Sequence, residues 1–324
     1  APVVIFGHTV DMSAGGLITF VGYFDTLVWP MIALGQVVSM RSRAKASLKR
    51  VTNFLDQEEE IHNPDNAYVL EDVKGNVTFK DFSFAYPNTD ADVLKNVTID
   101  IKAGESVGVV GKIGSGKTTL VNTLLRLYNI DKGKVFIDGH DVMDCDIESV
   151  RNAIGYVPQD NFLFSDKVKN NIAFSCETLD MDKVYEAAKF ADVHSNIKDF
   201  TEGYDTVSGE RGVTLSGGQK QRISIARAYI KDAPIMILDD SVSAVDVKTE
   251  ETILANIQNQ RKGKTTIVIA SRVSTVSHLD KILVLNDGEV EAFDTPQRLE
   301  TISPTYNKMV YLQKLEREVE GGEA

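Results

Sequence analysis

The sequence predicts an α/β fold with a buried parallel sheet, preceded by one apolar helix of membrane-spanning length. Three observations carry this. Ser106-Val107-Gly108-Val109-Val110 reads as a short buried strand that runs into a glycine-rich loop, Gly111 to Thr118, and then a helical pattern from Thr118 to Leu127. Ile235-Met236-Ile237-Leu238 and Thr266-Ile267-Val268-Ile269-Ala270 are short continuous apolar runs, as expected of central parallel strands covered on both faces. Gly15 to Met40 is mostly apolar, with Asp25 its only formal charge.

Composition sets the limits. A chain of 324 residues has room for one large domain, or a domain with an appendage. A net charge of −12 leaves no basic character for a nucleic-acid partner. Two cysteines, Cys145 and Cys176, without C-x-x-C spacing argue against a disulfide framework or zinc site and fit a reducing compartment. The N-terminal Ala1-Pro2-Val3-Val4-Ile5-Phe6 has no basic flank and no initiating Met, so it does not read as a signal peptide. The sequence reads as a piece of something longer.

In chain order, the apolar stretch from Gly15 to Met40 would extend about 39 Å as a helix, against a hydrocarbon core of about 30 Å. Arg41, Arg43, Lys45, Lys49 and Arg50 follow and would keep its C-terminal side in the cytoplasm. A long buried helix of a soluble protein satisfies the same pattern. Asp25 and Gln36 would then be core oddities, whereas in a membrane they could face a polar pathway. The charged, turn-rich segment about 55–75 reads as a linker. Val77 to Phe84 and Val97 to Ile101 alternate as half-buried strands. Asp182 to Ala191 and Lys248 to Gln260 read as helices, and the tail 319–324 as disordered.

Gly111-Lys112-Ile113-Gly114-Ser115-Gly116-Lys117-Thr118 matches G-x-x-x-x-G-K-[ST], a phosphate-binding loop. Its glycines let a di- or triphosphate approach the backbone N–H groups, Lys117 reaches the terminal phosphates, and Thr118 can ligate Mg²⁺. Leu215-Ser216-Gly217-Gly218-Gln219 follows and opens a helix, so Ser216 and the N–H groups there form a second anion site.

With these two motifs and five others in order from Tyr86 to Arg272, the sequence resembles the ATP-binding cassette (ABC) exporters over nearly its whole length. The resemblance implies a P-loop NTPase domain over 76–318, with a RecA-like core, an antiparallel β subdomain and an α-helical subdomain (roughly Pro158 to Lys220). It implies that residues 1–54 end the transmembrane domain, with one spanning helix about 14–40 and its cytoplasmic extension. It implies ATP and Mg²⁺ as cofactors, Tyr86 stacking on adenine, and Thr119 joining Gly111 to Thr118 around the phosphates. Gln159 would touch Mg²⁺ and sense the membrane domain, and Asp239 would hold the ion. Ser208-Gly209-Glu210-Arg211-Gly212 resembles an exporter segment that contacts intracellular loops. Ser216 would face the γ-phosphate held by a partner domain, and Ser243-Ala244-Val245-Asp246 would communicate between the two sites.

Two positions depart from the family pattern. Asp240 stands where exporters usually carry the glutamate that polarises the attacking water, and Ser271 where they carry a histidine. Asp240 is one methylene short, and Ser271 is too short to bridge the γ-phosphate and the carboxylate as an imidazole does; errors near 1 Å can cost about a hundredfold. Nothing that binds ATP is lost. The resemblance is therefore to the degenerate-site subunit of heterodimeric bacterial multidrug exporters, in the plasma membrane with a cytoplasmic ATPase domain. It implies a second half-transporter subunit and the bilayer as partners, and an unassigned exported substrate. A homodimeric exporter with a slow Asp240 base and a non-catalytic regulatory nucleotide-binding module remain alternatives.

Overall fold

The computed structural model describes residues 3–6, 8–10, 13–89, 91–243 and 245–321. It divides into two compact units, 1–60 and 61–324.

The first unit contains the antiparallel hairpin β1 (Val3–Ile5) and β2 (His8–Val10), then one continuous helix, α1 (Ala14–Leu55). Ser13 caps it, its hydroxyl accepting from the Gly16 N–H at 3.1 Å. Its 42 residues extend about 63 Å. Pro30 removes the N–H that the Thr26 carbonyl would otherwise receive. The Thr19 and Thr26 hydroxyls donate to the carbonyls of Gly15 and Gly22, at 2.9 and 2.7 Å. No residue of α1 is buried, and Leu17, Phe20, Phe24, Leu27, Trp29 and Leu34 are all exposed. An 18-residue window reaches a mean hydropathy of 1.6. By length and composition the helix can cross a bilayer.

The second unit runs β3 (Val77–Phe84), β4 (Leu94–Ile101), β5 (Ser106–Gly111), α2 (Lys117–Leu124), β6 (Val135–Ile137), β7 (His140–Asp141), α3 (Ile147–Asn152) and β8 (Ile154–Val157). A helical stretch follows: α4 (Val168–Ile172), α5 (Met181–Phe190), α6 (His194–Lys198) and α7 (Gly217–Ile230). The chain closes with β9 (Ile235–Asp239), α8 (Val247–Gln260), β10 (Thr265–Ile269), α9 (Val273–Val276), β11 (Lys281–Asn286), β12 (Glu289–Asp294), α10 (Pro296–Ile302) and α11 (Pro304–Gly321).

The main sheet has the order β12-β11-β5-β10-β9-β8; β11 to β8 are parallel and β12 is an antiparallel edge. Period-2 alternation splits its side chains between two cores. Val107, Val109, Ile235, Ile237, Ile267 and Ile269 point into a core shared with α2 and the antiparallel sheet β4-β3-β6-β7. Met236, Leu238, Val268, Ile282 and Val284 point into the opposite core, with α5, α7 and α8. Both faces are covered, which is why these strands read as unbroken apolar runs.

Two hairpins turn on the same dipeptide. Ile137 pairs with His140 around Asp138-Gly139, and Asn286 with Glu289 around Asp287-Gly288. All four turn residues have positive φ, as a two-residue type I′ turn requires.

The expected linker divides. Residues through Glu60 group with α1, whereas the chain from Ile61 is bonded to the second unit. Asn63 donates to the Asp146 carboxylate at 2.6 Å and accepts from the Ile147 N–H at 2.8 Å. The first residues of the expected tail, 319–321, belong to α11, which runs to Gly321. The tail's last residues, 322–324, lie outside the described residues, as does Ala244.

Candidate nucleotide site

β5 ends at Gly111 in the middle of the parallel sheet, and α2 begins at Lys117, so the loop between them lies at the carboxyl edge of the strands. Tight packing sets where its glycines fall. A Cβ on Gly111 would lie 2.2 Å from the Leu285 carbonyl oxygen, and one on Gly116, at φ 94°, would lie 2.7 Å from Leu94 Cδ2. Gly114, at φ 82°, has open space around it, so there the backbone conformation alone favours glycine. Lys112 and Ile113 are exposed on the loop. The Lys117 ammonium donates to the carbonyls of Gly111 and Lys112, both at 2.9 Å, which holds it in the mouth of the loop. Burial lowers its pKa from the ordinary value, opposed by the charges of Asp240 and Asp239.

β9 delivers Asp239 to this loop, nearly fully buried at 1% exposure. The Thr118 hydroxyl donates to Asp239 Oδ1 at 3.3 Å and the Tyr156 hydroxyl to Oδ2 at 3.4 Å. Burial raises the Asp239 pKa; Thr118 and Tyr156 pull it down, and the Asp240 charge pushes it up. Asp240 itself takes a positive φ of 45°, which Asp tolerates better than most residues. Its N–H donates to the Ile269 carbonyl at 2.9 Å. Its carbonyl accepts from Gln221 Nε2 at 3.3 Å and from the Ser243 hydroxyl at 2.8 Å. Ser271, just beyond β10, donates to Asp240 Oδ1 at 3.4 Å, so the two departures from the family pattern face each other.

Tyr86 follows β3. Its hydroxyl lies 2.8 Å from the Thr119 hydroxyl on α2, and its half-buried ring meets Phe84 and Tyr128 edge-on at centroid distances of 5.3 and 5.2 Å. Gln159 is exposed in the loop after β8, and among the described residues its side chain makes no hydrogen bond to Thr118 or Asp239.

The Leu215-Ser216-Gly217-Gly218-Gln219 motif, the signature of the family, closes on itself. Ser216 caps α7, its hydroxyl accepting from the Gln219 N–H at 3.2 Å, while Gln219 Oε1 accepts from the Ser216 N–H at 2.9 Å. Leu215 is buried as an anchor, Ser216 and Gly217 are exposed, and Gly218 is half-buried. Asp246 caps α8, accepting from the Thr249 N–H at 3.1 Å. The sequence reading missed Tyr156, Tyr128 and Gln221. Tyr156 stands in the strand that leads to Gln159, but nothing local in the sequence marks its distant partner Asp239.

These residues suit a nucleotide with a hard cation. The Ser115 hydroxyl is buried in the loop without a hydrogen-bond partner among the described residues. Among those residues no cluster of three His, Cys, Asp or Glu could hold a metal by itself. One hydroxyl beside one carboxylate is the donor set of an ion that takes its remaining ligands from phosphates and water.

A doubly covered parallel sheet with a phosphate loop after a central strand and a strand-end carboxylate beside it defines a P-loop nucleotide-binding domain. Residues 94–243 match the ABC transporter family, and the chain belongs to it as a nucleotide-binding domain preceded by an apolar helix. It is 39% identical over 312 residues to YheI of Bacillus subtilis, named as a multidrug resistance ABC transporter ATP-binding/permease protein, covering 96% of this chain and 53% of that one. A Staphylococcus aureus protein named for multidrug export as an ATP-binding/permease protein is 38% identical, over 97% of this chain and 55% of its own length. The fold is similar to a bacterial Atm1-family ABC exporter solved with ATP bound, with a TM-score of 0.81, 34% identity and coverage of 93% of this chain and 53% of that one. The chain thus spans about half the length of the curated relatives it matches.

Proposed function

We propose that this chain is the ATP-binding part of an ABC exporter subunit whose own site holds Mg²⁺-ATP and hydrolyses it poorly, while its signature completes the hydrolytic site of a different partner subunit. The observation that carries the reading is the Asp240–Ser271 contact at 3.4 Å. The serine hydroxyl is occupied in reaching the carboxylate, and nothing in its short side chain extends beyond. Asp240 is one C–C bond, about 1.5 Å, shorter than a glutamate. General-base placement is set by hydrogen-bond distance, so a shortfall of this size costs turnover and spares binding.

The binding groups are intact. The loop N–H groups and Lys117 neutralise and orient the phosphates, and Thr118 with Asp239 would hold Mg²⁺, which spreads the phosphate charge. Gln159, exposed in its loop, is free to close on that ion and report on the membrane domain. Tyr86 offers the adenine platform. The exposed Ser216-Gly217 cap presents N–H groups to a phosphate held by the partner, so each composite site draws on both subunits. We assign residues 1–54 to the end of the membrane domain and 76–318 to the ATPase domain. The relatives' names point to multidrug export as the work of the whole protein, which we place at the plasma membrane.

Nucleotide binding and phosphate release measured on one preparation of the chain test this. Binding with release at least about a hundredfold below that of an ABC domain carrying Glu and His is expected. Ordinary ABC rates from the chain as a homodimer would favour an exporter in which Asp240 serves as a competent base.

A further inference from the structure

The mechanism above leaves unused a polar group aimed at the centre of the site. Tyr156 on β8 pairs with Ile237 of β9, and Asp239 lies two residues beyond Ile237, on the same face. The Tyr156 ring packs, partly buried, against the core that contains Ile237 and Ile154. Its hydroxyl donates to Asp239 Oδ2 at 3.4 Å, while Thr118 donates to Oδ1 at 3.3 Å. The two carboxylate oxygens therefore have different partners, one from the phosphate-loop helix and one from the neighbouring strand.

We propose that Tyr156 is a positioning residue for Mg²⁺: by holding Oδ2 it fixes the carboxylate plane of Asp239 and turns Oδ1 toward Thr118 and the ion. This rests on the reading of the site as one for Mg²⁺-nucleotide. The Asp239 side chain can rotate about two bonds, and a carboxylate tied at one oxygen only can swing away from the ion. Tyr156 also stands three residues before Gln159 on the same strand-to-loop segment. One segment thus carries a residue that orients the strand-end carboxylate and a residue that the family pattern assigns to the same ion. Partners that orient a metal-ligating carboxylate are worth about 10–100-fold in metal affinity.

Tyr156→Phe keeps the ring and its apolar contacts and removes only the donor. The test is a magnesium titration of a fluorescent ATP analogue bound to the full chain in detergent, repeated with EDTA, with a thermal melt of each protein. The expected result is a magnesium midpoint raised about tenfold, with EDTA affinity and melting temperature unchanged. An unchanged midpoint, or an equal loss of affinity with and without magnesium, would overturn the assignment. Wild-type binding that ignores magnesium would overturn the reading of the site as well, which separates the two failures.

Discussion

At Asp138 one carboxylate gathers three successive backbone N–H groups, those of Lys74, Gly75 and Asn76, at 2.6, 3.1 and 2.8 Å. Burial raises the Asp138 pKa, but the donors from Asn76, Lys74 and Gly75 outweigh it and leave the group below its ordinary value of 3.8. Because the folded pKa is depressed, the stabilisation is fully present above about pH 4 and is lost as pH falls through the folded value. Asp138→Asn keeps an acceptor but loses the charge. Denaturant midpoints should fall for the variant at pH 7 and draw closer to wild type as pH is lowered below about 4; a difference that does not change with pH would contradict this. The carboxylates of the nucleotide site follow another logic. Burial raises Asp239 and lowers Lys117, so the charged form of each gains from an opposite charge beside it.

At the scale of elements, α7 joins local stability to assembly. Its capping box uses the same Ser216 and Gln219 that mark the signature. Ser216→Ala should cost about 1 kcal/mol and lower the melting temperature by about 2–4 °C. Nucleotide affinity of the same chain should not change if, as proposed, that signature serves the partner's site; a matching loss of affinity in calorimetry would contradict the assignment of the signature to the partner. Elements legible in the sequence were those whose pattern is local. β9 and β10 stood out as apolar runs because both their faces are buried, and β5 because it leads into a motif. The hairpin of β11 and β12 went unread although its Asp287-Gly288 turn is a local signal. β12 is only half-buried and does not alternate cleanly, as EVEAFD shows. The short α3, α4 and α6 have no periodic face to read and owe their shape to contacts with the sheet and α7. In the site, motif residues were legible and Tyr156 was not, since its partner Asp239 is 83 positions away.

For the whole molecule, α1 carries an apolar surface with no protein cover among the described residues, and the chain spans about half of its relatives. A bilayer is the cover its length and composition fit. The chain should therefore stay in the membrane pellet after alkaline carbonate, and Val28→Lys with Leu34→Lys, at about 2.5–3.5 kcal/mol each, should release it; a wild-type chain found in the supernatant would contradict the membrane assignment. The central claim is that this membrane-tethered domain retains nucleotide and turns it over slowly because two side chains at one site are too short. The most direct measurement is single-turnover phosphate release from the full chain carrying Asp240→Glu and Ser271→His together, compared with wild type at equal nucleotide occupancy. A rise of at least about tenfold is expected, with nucleotide affinity unchanged. Equal rates in the two proteins, at equal occupancy and melting temperature, would contradict it.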